Sequence, residues 1–127
     1  MQQNPPLPQL SIIIPIYNES EIILESLSRI KKSILLDYEI LIIYDHNNDS
    51  TIPIIEKEQS SYNNLELIKN NICPGPSGAI RTGFIEAKAP VILVTMADFS
   101  DQILGVNELV PRIPNEFGVI SFSRFCE

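Results

Sequence analysis

Basic residues are scarce in this chain. Nine lysines and arginines stand against sixteen aspartates and glutamates, giving a formal charge of -7. That balance excludes a surface built to track nucleic-acid phosphates. It also argues against bulk attraction to anionic lipid, while leaving room for a local basic patch. Cysteine is scarcer still. Cys73 and Cys126 cannot make a disulfide framework and lack the C-x-x-C spacing of a metal clip, so reduced thiols and a cytoplasmic setting are expected. No apolar run reaches the ~18 residues of a membrane span. Residues 1–9 are polar and proline-rich, without a basic n-region or an apolar h-region, so they do not read as a secretory signal. They are expected to form a flexible arm. Five glycines and ten prolines follow no triplet period, which excludes a collagen-like fibre.

What is present is a strongly apolar chain, 44% hydrophobic over 127 residues. That length suits one domain with one core, expected over residues 10–127. Short β-branched runs alternate with helical stripes. LSIIIP at residues 10–15 and YEILIIY at 38–44 are continuous apolar strands, the pattern of strands buried on both faces. Ile23, Leu27, Ile30 and Ile34 make one helical stripe, with Asn18 and Glu21 spaced as a capping box ahead of it. Ser50 or Thr51 can cap a second helix that tolerates Pro53 in its first turn and fades over 60–64. Residues 65–68 predict a third strand, 79–87 a helix opening at Ser77 or Gly78, and 91–95 a fourth strand. A helix over 106–113 follows, with Pro111 as a break or kink. Residues 117–122 predict a fifth strand. This alternation specifies an α/β fold: a mostly parallel open sheet with helices on both faces and right-handed crossovers.

In such sheets ligands bind beyond the carboxyl ends of the strands. There the sequence places Tyr17, Asn18 and Glu19 after strand one and Asp45, Asn47 and Asp49 after strand two. Asp98, Ser100 and Asp101 follow strand four, and Arg124 follows strand five. Carboxylates can hold ribose hydroxyls and hard cations such as Mg²⁺ or Mn²⁺, tyrosine can stack on a base, and arginine can meet phosphate with two hydrogen bonds. The set suits a nucleotide with a divalent cation. Each member also has a plainer reading. Tyr17 to Glu19 can be a strand exit and cap, and the stretch from Asp45 to Asp49 a solvated turn. Asp98 and Asp101 can be helix caps. Arg81 can make a surface ion pair, and the lone His46 can be a surface residue.

Five segments resemble inverting family 2 nucleotide-sugar glycosyltransferases of the GT-A fold. SIIIPIYNESEII is similar to the family's opening, with Pro15, Tyr17, Asn18 and Glu19 in register with its P-x-Y-N-E pattern. IIYDHNNDST resembles the V-D-D-x-S-x-D-x-T segment, in which Asp45, Asp49 and Thr51 fit. GPSGAIRTGF resembles the glycine-rich segment and helix, with Gly78, Ala79, Arg81 and Gly83 matching. VILVTMADFSD resembles the strand into the D-x-D metal motif, and VISFSRF the later G-S-R-[FY] strand end. The nearest subset is the transferases acting on polyprenyl phosphates, such as dolichol-phosphate mannose synthases.

The resemblance implies a Rossmann-like nucleotide-binding half of a GT-A fold. Its donor site would use Pro15, Tyr17, Asn18, Glu19, Asp45, Gly78, Arg81 and Arg124. Mg²⁺ or Mn²⁺ would sit on Asp98 and Asp101. The acceptor would be a polyprenyl phosphate or a glycan, with the protein cytoplasmic or at a membrane surface. Two departures stand out: Tyr44 replaces the first Asp of the D-D pair, and Met96 the first Asp of D-x-D. The chain reads as a donor-binding part truncated before an acceptor half, with no catalytic base assigned. The alternative is a non-catalytic α/β binding or interaction domain with a decayed metal site. A receiver domain of two-component signalling, of similar length, would need an acidic pair after strand one and an Asp after strand three. Tyr17-Asn18-Glu19 and Asn70-Asn71 stand there instead.

Overall fold

The computed structural model describes residues 7–97 and 105–113. Within them four strands, β1 (Leu10–Pro15), β2 (Tyr38–Tyr44), β3 (Leu65–Lys69) and β4 (Val91–Val94), form one sheet in the order β3-β2-β1-β4. Every pairing is parallel. The expected fifth strand, residues 117–122, lies outside the described residues. The helices are α1 (Ile23–Ser33), α2 (Thr51–Glu58), α3 (Pro76–Glu86) and α4 (Val106–Leu109).

β1 is paired on both edges and covered on both faces, so all six of its residues are buried. Its alternation sorts the two layers. Leu10, Ile12 and Ile14 pack with Ile23, Leu27 and Ile30 of α1, Ile55 of α2 and Val106 of α4. Ile13 faces the other way and shares a second cluster with Leu41, Ile43 and Ala79 of α3. Helices therefore cover both faces, as the sequence predicts. Each fully buried isoleucine or leucine contributes roughly 1.5–3 kcal/mol by leaving water.

Element boundaries follow local chemistry more closely than periodicity does. α1 starts at Ile23, and no side chain caps it, so the expected Asn18–Glu21 box does not form. Neither Ser50 nor Thr51 caps α2 with its side chain; the Asp49 carboxylate accepts from the Thr51 N–H instead, at 2.8 Å. Pro53 does sit in the first turn of α2, and the helix ends in a single 3₁₀ turn at Gln59–Ser61. α3 opens at Pro76, earlier than predicted, because Gly75 takes φ 107° and proline suits the first helical position. α4 is one turn long and tightens into a 3₁₀ turn, Val110–Arg112, around Pro111.

α1 also anchors both flanks of the segment after β4. Ser26 donates its hydroxyl to the Ala97 carbonyl. Asn107 of α4 bridges the end of α1, donating to the Ser33 carbonyl at 2.6 Å and accepting from the Leu35 N–H at 2.8 Å. No described helix is long and apolar enough to cross a membrane.

Candidate functional site: the carboxyl ends of β1 and β2

The chain steps from β1 to β2 to β3 in one direction, then returns past β1 to place β4. The carboxyl end of β1 therefore lies at the point where the winding reverses, the usual place for a ligand crevice. The loops leaving β1 and β2 are stitched together there. Asn18 donates its backbone N–H to Oδ2 of Asp49 at 3.0 Å, and accepts at Oδ1 from the Ser50 N–H at 3.0 Å. The Glu19 N–H donates to the Thr51 hydroxyl at 2.7 Å. Asn18 has φ 49°, the one non-glycine residue with positive φ among those described. Asparagine tolerates that region better than most residues, and here bonds at both its backbone and side chain hold it there.

Asp49 is buried. Burial pushes its carboxyl up, but hydrogen bonds from Thr51 and from the Asn18 backbone, with His46 nearby, outweigh that effect. The group is held below the usual carboxylate range. Asp49 thus stays ionised as the knot of the stitch. Beside it opens a shallow cleft of about 310 Å³, lined by Tyr17, Asn18, His46, Asn48 and Asp49. Tyr17 is 66% exposed, so its ring is free to take a planar partner.

Asp45 lies at the foot of a different network. Its Oδ2 accepts from the Gly75 N–H at 2.9 Å and its Oδ1 from the Asn70 side-chain amide at 2.7 Å. Gly75 is the residue that caps α3, so this carboxylate occupies the positive end of that helix. Asn70, itself buried, also donates to the Cys73 carbonyl and accepts from the Ile72 N–H and the Thr82 hydroxyl. Gly78 lies in the first turn of α3, where a Cβ would run into the Cys73 carbonyl. Its glycine identity is explained by that close approach.

Of the residues the sequence nominates, Tyr17 and Asn18 line the cleft, together with Asp49 from the matched second segment. Pro15 is buried at the end of β1. Glu19 is tied by its backbone to Thr51. Asp45 and Gly78 belong to the loops around α3, and Arg81 is exposed on that helix. Asp98, Asp101 and Arg124 lie outside the described residues. Met96 is exposed at the end of β4. Among the described residues no group of three or more His, Cys, Asp or Glu side chains could hold a metal. His46 and Asn48 are the cleft residues that the pattern undervalues, since an exposed polar turn carries no signal of what faces it. Asn70 and Thr82 likewise become visible as a network only once β3 and α3 are side by side.

The family model for glycosyl transferase family 2 matches residues 11–126. The chain belongs to glycosyltransferase family 2. A dolichol-phosphate mannosyltransferase of Pyrococcus furiosus is 32% identical over 120 residues, which is 94% of this chain and 34% of the relative. This family 2 chain thus spans about a third of that curated relative's length. Two solved structures share the fold. A mannosyltransferase from Pyrobaculum calidifontis, in complex with GDP-Man and Mn²⁺, superposes with a TM-score of 0.63. It is 23% identical, and the match covers 72% of this chain and 28% of that one. TarS of S. aureus with UDP-GlcNAc gives a TM-score of 0.59 at 24% identity, over 71% of this chain and 26% of that one. These likenesses bear out the parallel α/β fold expected for the family. The metal and the nucleotide sugars they name belong to those proteins.

Proposed function

We propose that residues 10–127 form a donor-binding glycosyltransferase domain, with residues 1–9 as an arm ahead of it. The domain takes a nucleotide-diphosphate sugar with Mg²⁺ or Mn²⁺, for transfer of the sugar to a lipid-phosphate or glycan acceptor. The observation that carries this reading is the open cleft at the carboxyl ends of β1 and β2, in a chain of family 2. Tyr17 offers a face for the base, and Asn18, Asn48 and His46 offer hydrogen bonds to the rest of the nucleotide. Asp45 holds the loops that border the site. Asp98 and Asp101 would supply hard oxygen ligands to the cation, which neutralises a leaving diphosphate. Arg81 and Arg124 are assigned to the phosphates.

A second reading, a binding domain with a decayed metal site, draws on Met96. A soft, neutral thioether stands where the family pattern has a carboxylate, and it faces solvent.

Thermal unfolding with a panel of nucleotide-diphosphate sugars, with and without Mn²⁺, tests the proposal. A ligand at about 100 times its Kd stabilises the fold by ~2.7 kcal/mol. At least one sugar nucleotide should raise the Tm, and Asn48→Ala with Tyr17→Ala should abolish that rise. A panel with no rise would overturn donor binding.

A further inference from the structure

The two peptide planes that flank a residue fix its backbone, and at Asn18 both are held from the β2 exit loop. The plane between Tyr17 and Asn18 is tied through the Asn18 N–H, which donates to Oδ2 of Asp49 at 3.0 Å. The plane between Asn18 and Glu19 is tied through the Glu19 N–H, which donates to the Thr51 hydroxyl at 2.7 Å. Between them sits the left-handed φ of 49° that most L-residues avoid. Tyr17 and Asn18 line the cleft, whereas Thr51 does not and is fully buried at the start of α2. We propose that Thr51 is a positioning residue for the donor: its hydroxyl holds the Asn18 backbone in the geometry that presents the Tyr17 ring to the nucleoside. The inference rests on the donor-binding reading of the cleft.

Thr51 suits that task because it is itself well anchored. It opens α2, and its backbone N–H donates to Oδ1 of Asp49 at 2.8 Å. Asp49 therefore accepts from both loops, one oxygen to each, and Thr51 adds an acceptor one residue farther along the β1 exit. The hydroxyl is the part that matters, since a hydrocarbon at the same place offers the Glu19 N–H no acceptor. Without it the plane between Asn18 and Glu19 is released to turn, and Asn18 relaxes toward an ordinary negative φ. The chain then leaves Tyr17 in a different direction. A loop that spends only part of its time in the binding geometry lowers the apparent affinity by that fraction. Fully buried, Thr51 acts on a ligand only through the loop it holds.

The test is calorimetry with UDP-GlcNAc and GDP-mannose in the presence of Mg²⁺, on variants whose urea midpoints show them folded at the working temperature. Thr51→Val keeps the branched shape and removes the acceptor. It should bind about three- to tenfold more weakly than wild type, the span of one hydrogen bond. Thr51→Ser keeps the hydroxyl and should bind within about twofold of wild type. In a Tyr17→Ala background Thr51→Val should cost less than in wild type, because the ring it positions is gone. A purely structural threonine would lower the urea midpoint and leave the affinity of the folded protein unchanged. Unchanged affinity in Thr51→Val, an equal loss in Thr51→Ser, or an equal cost with and without Tyr17 overturns the positioning role and leaves the donor reading standing. Thr51→Ala removes the same hydroxyl and takes the place of Thr51→Val if the valine variant does not fold. Failure of wild type to bind either sugar nucleotide overturns both.

Discussion

Asn18 concentrates the local cost of building the cleft. Its left-handed backbone is unfavourable by roughly 1–2 kcal/mol for an ordinary L-residue. Asparagine offsets this through the bond its side chain accepts from the Ser50 N–H. Asn18→Ala loses that bond and keeps the strain, so urea unfolding should show a loss of about 1–3 kcal/mol. Asn18→Gly should recover about half of it by relieving the backbone alone. Equal losses in the two variants would mean that the φ of 49° carries no strain.

Asp49 gives the same stitch a pH dependence. Its folded pKa lies below the unfolded carboxylate value, so its contribution is fully present above that unfolded value, about 3.9. It fades as pH falls through the folded pKa. Asp49→Asn should therefore be less stable than wild type at neutral pH, with the gap narrowing below about pH 4. Urea midpoints at neutral and acid pH measure the gap, and a constant difference would show that the charge contributes nothing. The Asp49 match was readable from the sequence. Its role as an acceptor shared between two loops was not, because its partners at Asn18 and Thr51 come from both strand exits.

The packing of α3 against the sheet depends on one absent side chain. A Cβ on Gly83 would lie 2.6 Å from Cγ2 of Ile13, a fully buried residue at the centre of β1. Ile13 is confined by its own cluster and cannot withdraw without disturbing Leu41 and Ala79. Gly83→Ala should destabilise the fold by ~1–3 kcal/mol through overpacking, despite alanine's better helix propensity. All three of Ile13's Cγ2, Cδ1 and Cγ1 crowd that Cβ, so Ile13→Ala should cost less in the Gly83→Ala background than in wild type. An unchanged or raised Tm in Gly83→Ala would show that α3 can shift outward at little cost. At the other end of the sheet the Ser11 hydroxyl donates to the Glu39 carboxylate at 2.5 Å. That carboxylate also accepts from the Lys88 N–H at 2.7 Å, which closes the turn from α3 into β4. Buried polar residues there are satisfied by each other, as burial of such groups requires.

For the molecule as a whole the metal is the sharpest test. With the thioether of Met96 where the family pattern has a carboxylate, the protein alone should show no measurable Mn²⁺ binding. Such a cation keeps several waters and shares its ligands with phosphates. Mn²⁺ should therefore bind only with a nucleotide diphosphate present. That ternary binding should vanish in Asp98→Asn and weaken but persist in Asp101→Asn. Electron paramagnetic resonance of free Mn²⁺ reads both. Tight binding without nucleotide, or ternary binding that survives Asp98→Asn, would contradict this arrangement.

The amino-acid sequence by itself determined the class of the fold. Strands such as LSIIIP have one stable use, paired on both edges and covered on both faces, and the helical stripes between them supply the cover. It also determined the family, because motif segments in the right order survive without knowledge of their geometry. Tertiary structure alone decided which polar residues meet. The capping box that spacing suggested at Asn18 gave way to a bond across to the β2 exit loop, since that loop offers the buried Asp49 as an acceptor. Asp45 turned toward the start of α3 and Asn70, while His46, with no periodic signal at all, came to line the cleft. Hydrophobic periodicity is written along the chain, whereas hydrogen-bond partners separated by about thirty residues are chosen only when two strand ends lie side by side.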